Sequence, residues 1–152
     1  MKYILTYLIA LFLLSVSNAQ ILNPADWTYQ LSKEDHELEL QFKVKLDDTW
    51  YVYATDQDPD LGPIPTSLEL KGEGFKKVGA PKPIKVKTKY DAIWEGDTRL
   101  ITESGGGFTQ RIKLLEANPK INATINYTVC SMKTGQCVFG EQEFNIKLNQ
   151  SK

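Results

Sequence analysis

At 152 residues, 41% of them hydrophobic and 24% charged, the chain is long enough for one domain with a substantial core. Its formal net charge is −1, with 18 Lys and Arg against 19 Asp and Glu, so no basic stripe is available to neutralise phosphates, and nucleic acid is excluded as a partner. Two cysteines and one histidine leave little material for a metal centre. Residues 1–19 read as a signal peptide: Lys2 forms the n-region, Ile4 to Val16 the apolar h-region, and Ser17-Asn18-Ala19 the small-residue cleavage site. The mature domain is then 20–152, one unit more acidic once Lys2 is removed. The h-region is short for a spanning helix and no later run approaches that length, so no stable membrane insertion is expected after cleavage. Export places the cysteines in an oxidising compartment.

Period-two alternation dominates the mature chain. Trp27–Leu31 is a first strand. His36 follows in a charged turn, Lys33 to Glu37, and is expected to face solvent. Glu37 to Leu46 then places Leu38, Leu40, Phe42, Val44 and Leu46 on one face and polar residues on the other, the pattern of a half-buried antiparallel strand. Asp47-Asp48-Thr49 turns into the aromatic strand Trp50–Tyr53, and the two are predicted to form a hairpin. The crossing from Asp56 to Pro65 resembles part of a calcium loop, but it lacks the Gly and bidentate Glu at the required offsets and reads as a plain loop.

Further strands are predicted at Ser67–Leu70, Pro83–Lys87, Arg99–Thr102, Phe108–Leu114, Ile121–Val129 and Glu143–Leu148, punctuated by glycines. Lys82, Lys85, Lys87 and Lys89 suggest one exposed strand face or edge, guarded against edge pairing. Asn122-Ala-Thr and Asn126-Tyr-Thr match the short glycosylation pattern within a predicted strand. Leu114 to Pro119 offers at most one helical turn, which Pro119 stops. Many short strands with regular turn signals predict an all-β sandwich.

Most site chemistries are absent from the sequence. One His and two Cys do not complete a closed zinc site, so neither metal nor cofactor is expected. No Gly-x-Ser-x-Gly supports a serine triad, and Gly105-Gly106-Gly107 precedes a strand rather than a phosphate-binding helix. The cysteines remain: Cys130 and Cys137 flank Lys133-Thr134-Gly135, a turn signal that returns the chain and brings the sulfurs within bonding reach. On such a hairpin their Cα atoms would stand about 4.4–6.8 Å apart. Two readings fit the residues equally. One is a structural staple, worth roughly 2–3 kcal/mol for so small a loop. The other is a reversible dithiol. No Cys-x-x-Cys and no helix N-terminus is present to lower a thiol pKa strongly, so a redox pair here would relay electrons rather than act as a strong oxidant.

The stretch Tyr127 to Cys137, followed by Glu141 and the strand Phe144–Leu148, resembles the N-terminal periplasmic domain of the disulfide reductase DsbD. Asp48 to Tyr53 resembles that family's aromatic strand beside the active site, and Tyr90 to Gly96 resembles its cap loop. The likeness spans the mature chain. It implies an immunoglobulin-like antiparallel β-sandwich, periplasmic or otherwise exported, acting as a thiol:disulfide oxidoreductase without a cofactor. It also implies thioredoxin-like redox partners, with Cys137 the partner-facing sulfur and Cys130 the resolving one. Asp91, Ile93 and Trp94 would form the cap, and Tyr51 and Tyr53 the aromatic surround. Several positions depart from the family: Val138-Phe139-Gly140 replaces a frequent Pro-Pro pair, Ile93 replaces the cap's usual Phe, Ala92 replaces a carboxylate, and the turn is longer. The family's domain is normally fused to a transmembrane electron conduit, so a membrane-linked reductant is expected to act in trans. The competing reading is an exported binding module with a structural disulfide, in which Trp50, Tyr51, Tyr53, Ile93 and Trp94 form an aromatic partner-binding patch.

Overall fold

Alternating burial along the strands builds two layers around one core. The computed structural model describes residues 22–34 and 37–148, so the segment expected to be a signal peptide and His36 lie outside the described residues. The strands are β1 (Ala25–Glu34), β2 (Glu37–Leu46), β3 (Trp50–Tyr53), β4 (Ser67–Glu73), β5 (Phe75–Ile84), β6 (Lys87–Asp91), β7 (Gly96–Ile101), β8 (Gly107–Leu114), β9 (Lys120–Ser131) and β10 (Cys137–Ile146). A single 3-10 turn, Pro59–Leu61, interrupts the crossing between β3 and β4. The smaller sheet runs β1-β2-β8-β5 and the larger β10-β9-β3-β7-β6, with β4 also paired to β9. Every ladder is antiparallel. The expected immunoglobulin-like antiparallel sandwich is the observed fold.

The core lies between the inward faces. Trp27, Leu40, Phe42, Val44, Phe108 and Ile112 come from the smaller sheet; Val52, Ile101, Ile121, Ile125, Tyr127 and Val129 come from the larger. Burying each such large apolar side chain contributes about 1.5–3 kcal/mol. One edge of the sandwich is laced by polar groups. The Gln142 side chain accepts from Trp27 N–H at 2.9 Å and donates to Trp27 C=O at 2.8 Å, so this β10 residue satisfies backbone groups of β1. Tyr127 donates its hydroxyl to Ala25 C=O at 3.2 Å, and its ring fills the space a Cβ at Gly140 would occupy. Glycine at 140 is therefore a requirement of close packing.

Several expectations are corrected. β2 and β3 do not form a hairpin: β2 pairs with β1 and β8, whereas β3 pairs with β7 and β9 in the other sheet. Asp47 to Thr49 is thus a crossing between sheets. The predicted strand Pro83–Lys87 instead spans a corner, where Lys85 takes a φ of 52° and the chain passes from β5 to β6. The lysine cluster is accordingly shared by two strands, each at the edge of its sheet, with Lys87 paired to Glu103 at 2.9 Å. β5 was not foreseen as a strand from Phe75 because it contains Gly79, Pro81 and Pro83. It tolerates them as an edge strand with a bulge between Val78 and Lys82, where the buried Gln110 amide donates to the Val78 and Gly79 carbonyls. The crossing after β3 is a loop, as expected. Asp58 caps the 3-10 turn by accepting from Asp60 N–H at 2.9 Å, and Asp56 accepts from Arg99 Nε at 3.1 Å and Nη2 at 2.6 Å.

Candidate functional site

The two sheets explain where the cysteines go. Along β9, Ile121, Ala123, Ile125, Tyr127 and Val129 point into the core, so Thr128 and Cys130 point outward. Cys130 stands opposite Tyr51 on β3 and opposite Cys137 on β10. Its sulfur is bonded to that of Cys137, with Cα atoms 4.1 Å apart. This is a little under the expected range, and the ladder gives the reason. Ser131 N–H donates to Gln136 C=O at 2.8 Å, which makes 131/136 a hydrogen-bonded pair and 130/137 a non-hydrogen-bonded one, the closer of the two alternating spacings.

The connection between the cysteines is a tight, self-satisfied turn. Gly135 N–H donates to Ser131 C=O at 2.9 Å, and Gly135 supplies the φ of 70° that closes the turn. Ser131 Oγ accepts from the N–H groups of Lys133 and Thr134, both at 3.2 Å. Met132 N–H donates to Thr49 C=O at 2.8 Å and so fastens the hairpin tip to the crossing before β3. β10 begins at Cys137, earlier than the sequence suggested, and Glu141 lies within it, opposite Asn126, rather than before it. Asn122 and Asn126 are exposed on the same outward face of β9.

The two sulfurs differ sharply in access. Cys130 is 0% exposed although it faces away from the core, because Tyr51, Tyr53 and Leu100 pack around it. Cys137 is exposed. The Tyr51 and Tyr53 rings meet edge to face, with centroids 5.4 Å apart and hydroxyls at 3.3 Å. Burial first, then the hydrogen bond with Tyr53 and the charges of Tyr53 and Asp91, hold the Tyr51 phenol well above its ordinary value. Tyr51 is therefore an uncharged wall beside the disulfide at neutral pH. Asp91 lies at the tip of the β6–β7 hairpin, where its carboxylate accepts from Ile93 N–H at 2.9 Å. The expected cap loop is thus a hairpin tip, and it brings the Asp91 charge within electrostatic reach of Tyr51. At that tip Ile93 is 84% exposed and Trp94 40%, with the Trp94 ring lying over Gly62 of the 3-10 turn.

Sequence reasoning found the sulfurs and both tyrosines but missed Leu100, which reaches the site only through its cross-strand pairing with Tyr53, and Thr128, which shares the outward face of β9 with Cys130. The expected aromatic patch is only partly at the surface: Trp50 packs against the core and Tyr53 is buried, while Ile93 and Trp94 are exposed. A cleft of about 410 Å³ opens between the Leu22–Asp26 segment and β10, and neither cysteine lines it. Among the described residues no cluster of His, Cys, Asp and Glu could hold a metal ion. Among them, too, no helix is long and apolar enough to cross a membrane.

These features define an immunoglobulin-like sandwich domain that carries a cross-strand disulfide on its outward face. No family model matches the sequence, and no curated protein matches it either. Its fold is similar to that of the N-terminal periplasmic domain of ScsB from Proteus mirabilis, with a TM-score of 0.64 and 14% identity over 87% of this chain. The chain spans about half, 49%, of that protein chain. It is also similar to a structure from Neisseria meningitidis of the complex between the DsbD and PilB N-terminal domains, with a TM-score of 0.53, 14% identity, and coverage of 86% of this chain and 90% of that one.

Proposed function

We propose that this domain is a periplasmic or otherwise exported thiol–disulfide exchange module that relays reducing equivalents through Cys130 and Cys137. One observation carries the reading: a fully buried sulfur is bonded to an exposed one on the outward face of a sheet. A stapling disulfide in an immunoglobulin-type sandwich joins the two sheets through the core. This one joins neighbouring strands of a single sheet, where its exposed sulfur is open to attack from one side.

The geometry fits a two-step exchange. A thiolate of a dithiol partner attacks Cys137 Sγ; the Cys130–Cys137 bond breaks and Cys130 leaves as a thiolate. The partner's second thiolate then attacks its own sulfur in the mixed disulfide and releases Cys137 as a thiolate, and the Cys130 and Cys137 thiolates each take up a proton. The partner ends as a disulfide and this chain as a dithiol. Handing on runs the same steps in reverse: Cys137 attacks an acceptor disulfide and Cys130 resolves the intermediate. No cofactor enters. Thioredoxin-like redox proteins, including a membrane-linked reductant, are the partner class this chemistry calls for. The solved DsbD–PilB complex supports a protein partner for this fold.

From the likeness to the DsbD cap we further propose that Ile93 and Trp94 at the β6–β7 tip hinder small thiols at the otherwise exposed Cys137 and are displaced by a docking protein. The test compares two reductants on the oxidised domain, with alkylation of Cys130 and Cys137 read by mass. A reduced thioredoxin-like protein should reduce the wild type at least about tenfold faster than glutathione at equal thiolate concentration. In the Ile93→Ala/Trp94→Ala variant the glutathione rate should rise several-fold. Equal rates with both reductants would contradict exchange with a protein partner, and an unchanged glutathione rate in the variant would remove the tip's role as a cover.

A further inference from the structure

We propose that the Thr128 hydroxyl is a positioning group for the Cys130 sulfur, donating a hydrogen bond to it once the disulfide opens; this rests on the exchange reading above. Among the described residues, the side-chain atoms Trp27 Nε1, Thr55 Oγ1 and Thr128 Oγ1 are buried without any hydrogen-bond partner. Thr128 alone of the three lies on the strand of the reacting sulfur. It is 6% exposed, shares the outward face of β9 with Cys130, and stands opposite Phe139, itself 72% exposed. A buried donor left unmade is unfavourable by about 1–3 kcal/mol, which sequences rarely retain without a use.

Redox chemistry supplies the missing partner. In the disulfide, Cys130 Sγ is held toward Cys137 and is a weak acceptor. When a partner thiolate attacks Cys137, the sulfur–sulfur electron pair departs with Cys130, whose side chain regains its χ1 freedom and carries a full negative charge. Same-face neighbours on a strand are about 6.6 Å apart, a span that a hydroxyl and a sulfur turned toward each other reduce to hydrogen-bonding contact. A charge-assisted bond of this kind is about twice as strong as a neutral one. A donor beside Cys130 makes it the better leaving group and so directs attack to the exposed sulfur of Cys137.

The test uses the whole domain and dithiothreitol as reductant, so it needs no partner protein. Thr128→Val keeps the shape and removes the hydroxyl; Thr128→Ser keeps the hydroxyl and removes the methyl. In Thr128→Val the dithiol/disulfide equilibrium constant should fall about tenfold, equivalent to about 30 mV, and the reduction rate should fall with it. Thr128→Ser should stay within about threefold of wild type. The oxidised Thr128→Val protein should unfold at no lower denaturant concentration than wild type, since it loses a buried hydroxyl that had no partner. An unchanged equilibrium constant in Thr128→Val would overturn the proposal, as would equal shifts in both variants, which would point to packing alone. A wild-type disulfide with the potential of a structural staple would instead remove the exchange reading, while the comparison of variants would still report on Thr128.

Discussion

Cys130→Ser is expected to accumulate a mixed disulfide between Cys137 and a thioredoxin-like partner, and Cys137→Ser to accumulate almost none. The difference follows from access. Cys137 is exposed on β10, whereas Cys130 is 0% exposed behind Tyr51, Tyr53 and Leu100. With Cys130 removed, the partner sulfur that joins Cys137 has no internal thiol to displace it, so the intermediate persists. With Cys137 removed, the remaining sulfur is out of reach of a docking protein. Non-reducing electrophoresis after incubation with a partner whose own resolving thiol has been removed reads the outcome as a shifted band. Equal trapping by both variants would overturn the assignment of roles but leave exchange standing. Trapping by neither, with only a stability loss of about 2–3 kcal/mol, would make the disulfide a staple.

Phe108→Ala should be among the most damaging core substitutions, lowering stability by about 3–5 kcal/mol. Phe108 lies on β8, the strand that joins β2 to β5, in register with Phe42 on one side and Pro83 on the other. It is fully buried, its ring centroid 5.2 Å from that of Phe42 and 5.6 Å from that of Trp27. Truncation leaves a cavity that the two remaining rings, framed by backbone ladders, cannot collapse to fill. Against a total of about 5–15 kcal/mol for a domain, this is a large fraction. Denaturant unfolding of the oxidised protein should show a much lower midpoint with an unchanged slope. A loss below about 1 kcal/mol would mean that the facing sheets do not pack as described.

How much of this could be read from the sequence depends on which residues carried a local signal. β2 and β3 were legible to the residue, since strict alternation and an aromatic run leave one solution each. Their relation was not legible: Asp47 to Thr49 marks where the chain turns, but which sheet it joins is set by partners far along the chain. β5 was hidden by Gly79, Pro81 and Pro83, residues that exclude a central strand but not an edge strand with a bulge. The early start of β10 was hidden by Gly140, whose reason is the Tyr127 ring on the neighbouring strand.

The site followed the same rule. Cys130, Cys137 and the turn glycine are close in sequence and declared themselves, and the family likeness pointed to Tyr51 and Tyr53. Leu100 carried no signal, because what places it beside Cys130 is its pairing with Tyr53 across strands far apart in the chain; Thr128 is two residues before Cys130 and shares its face by simple alternation, but its burial there depends on the neighbouring strands. The aromatic-patch alternative looked coherent as a set of letters, yet Trp50 faces inward because β3 is a strand and its neighbours alternate.

The central claim, that Cys130 and Cys137 form a working couple, is tested most directly by the reduction potential of their disulfide, measured by equilibration with dithiothreitol redox buffers and alkylation of the thiols. An exchange couple should lie well above about −300 mV, near the range of periplasmic and thioredoxin-like partners. A value below about −300 mV would identify a structural staple and contradict the account.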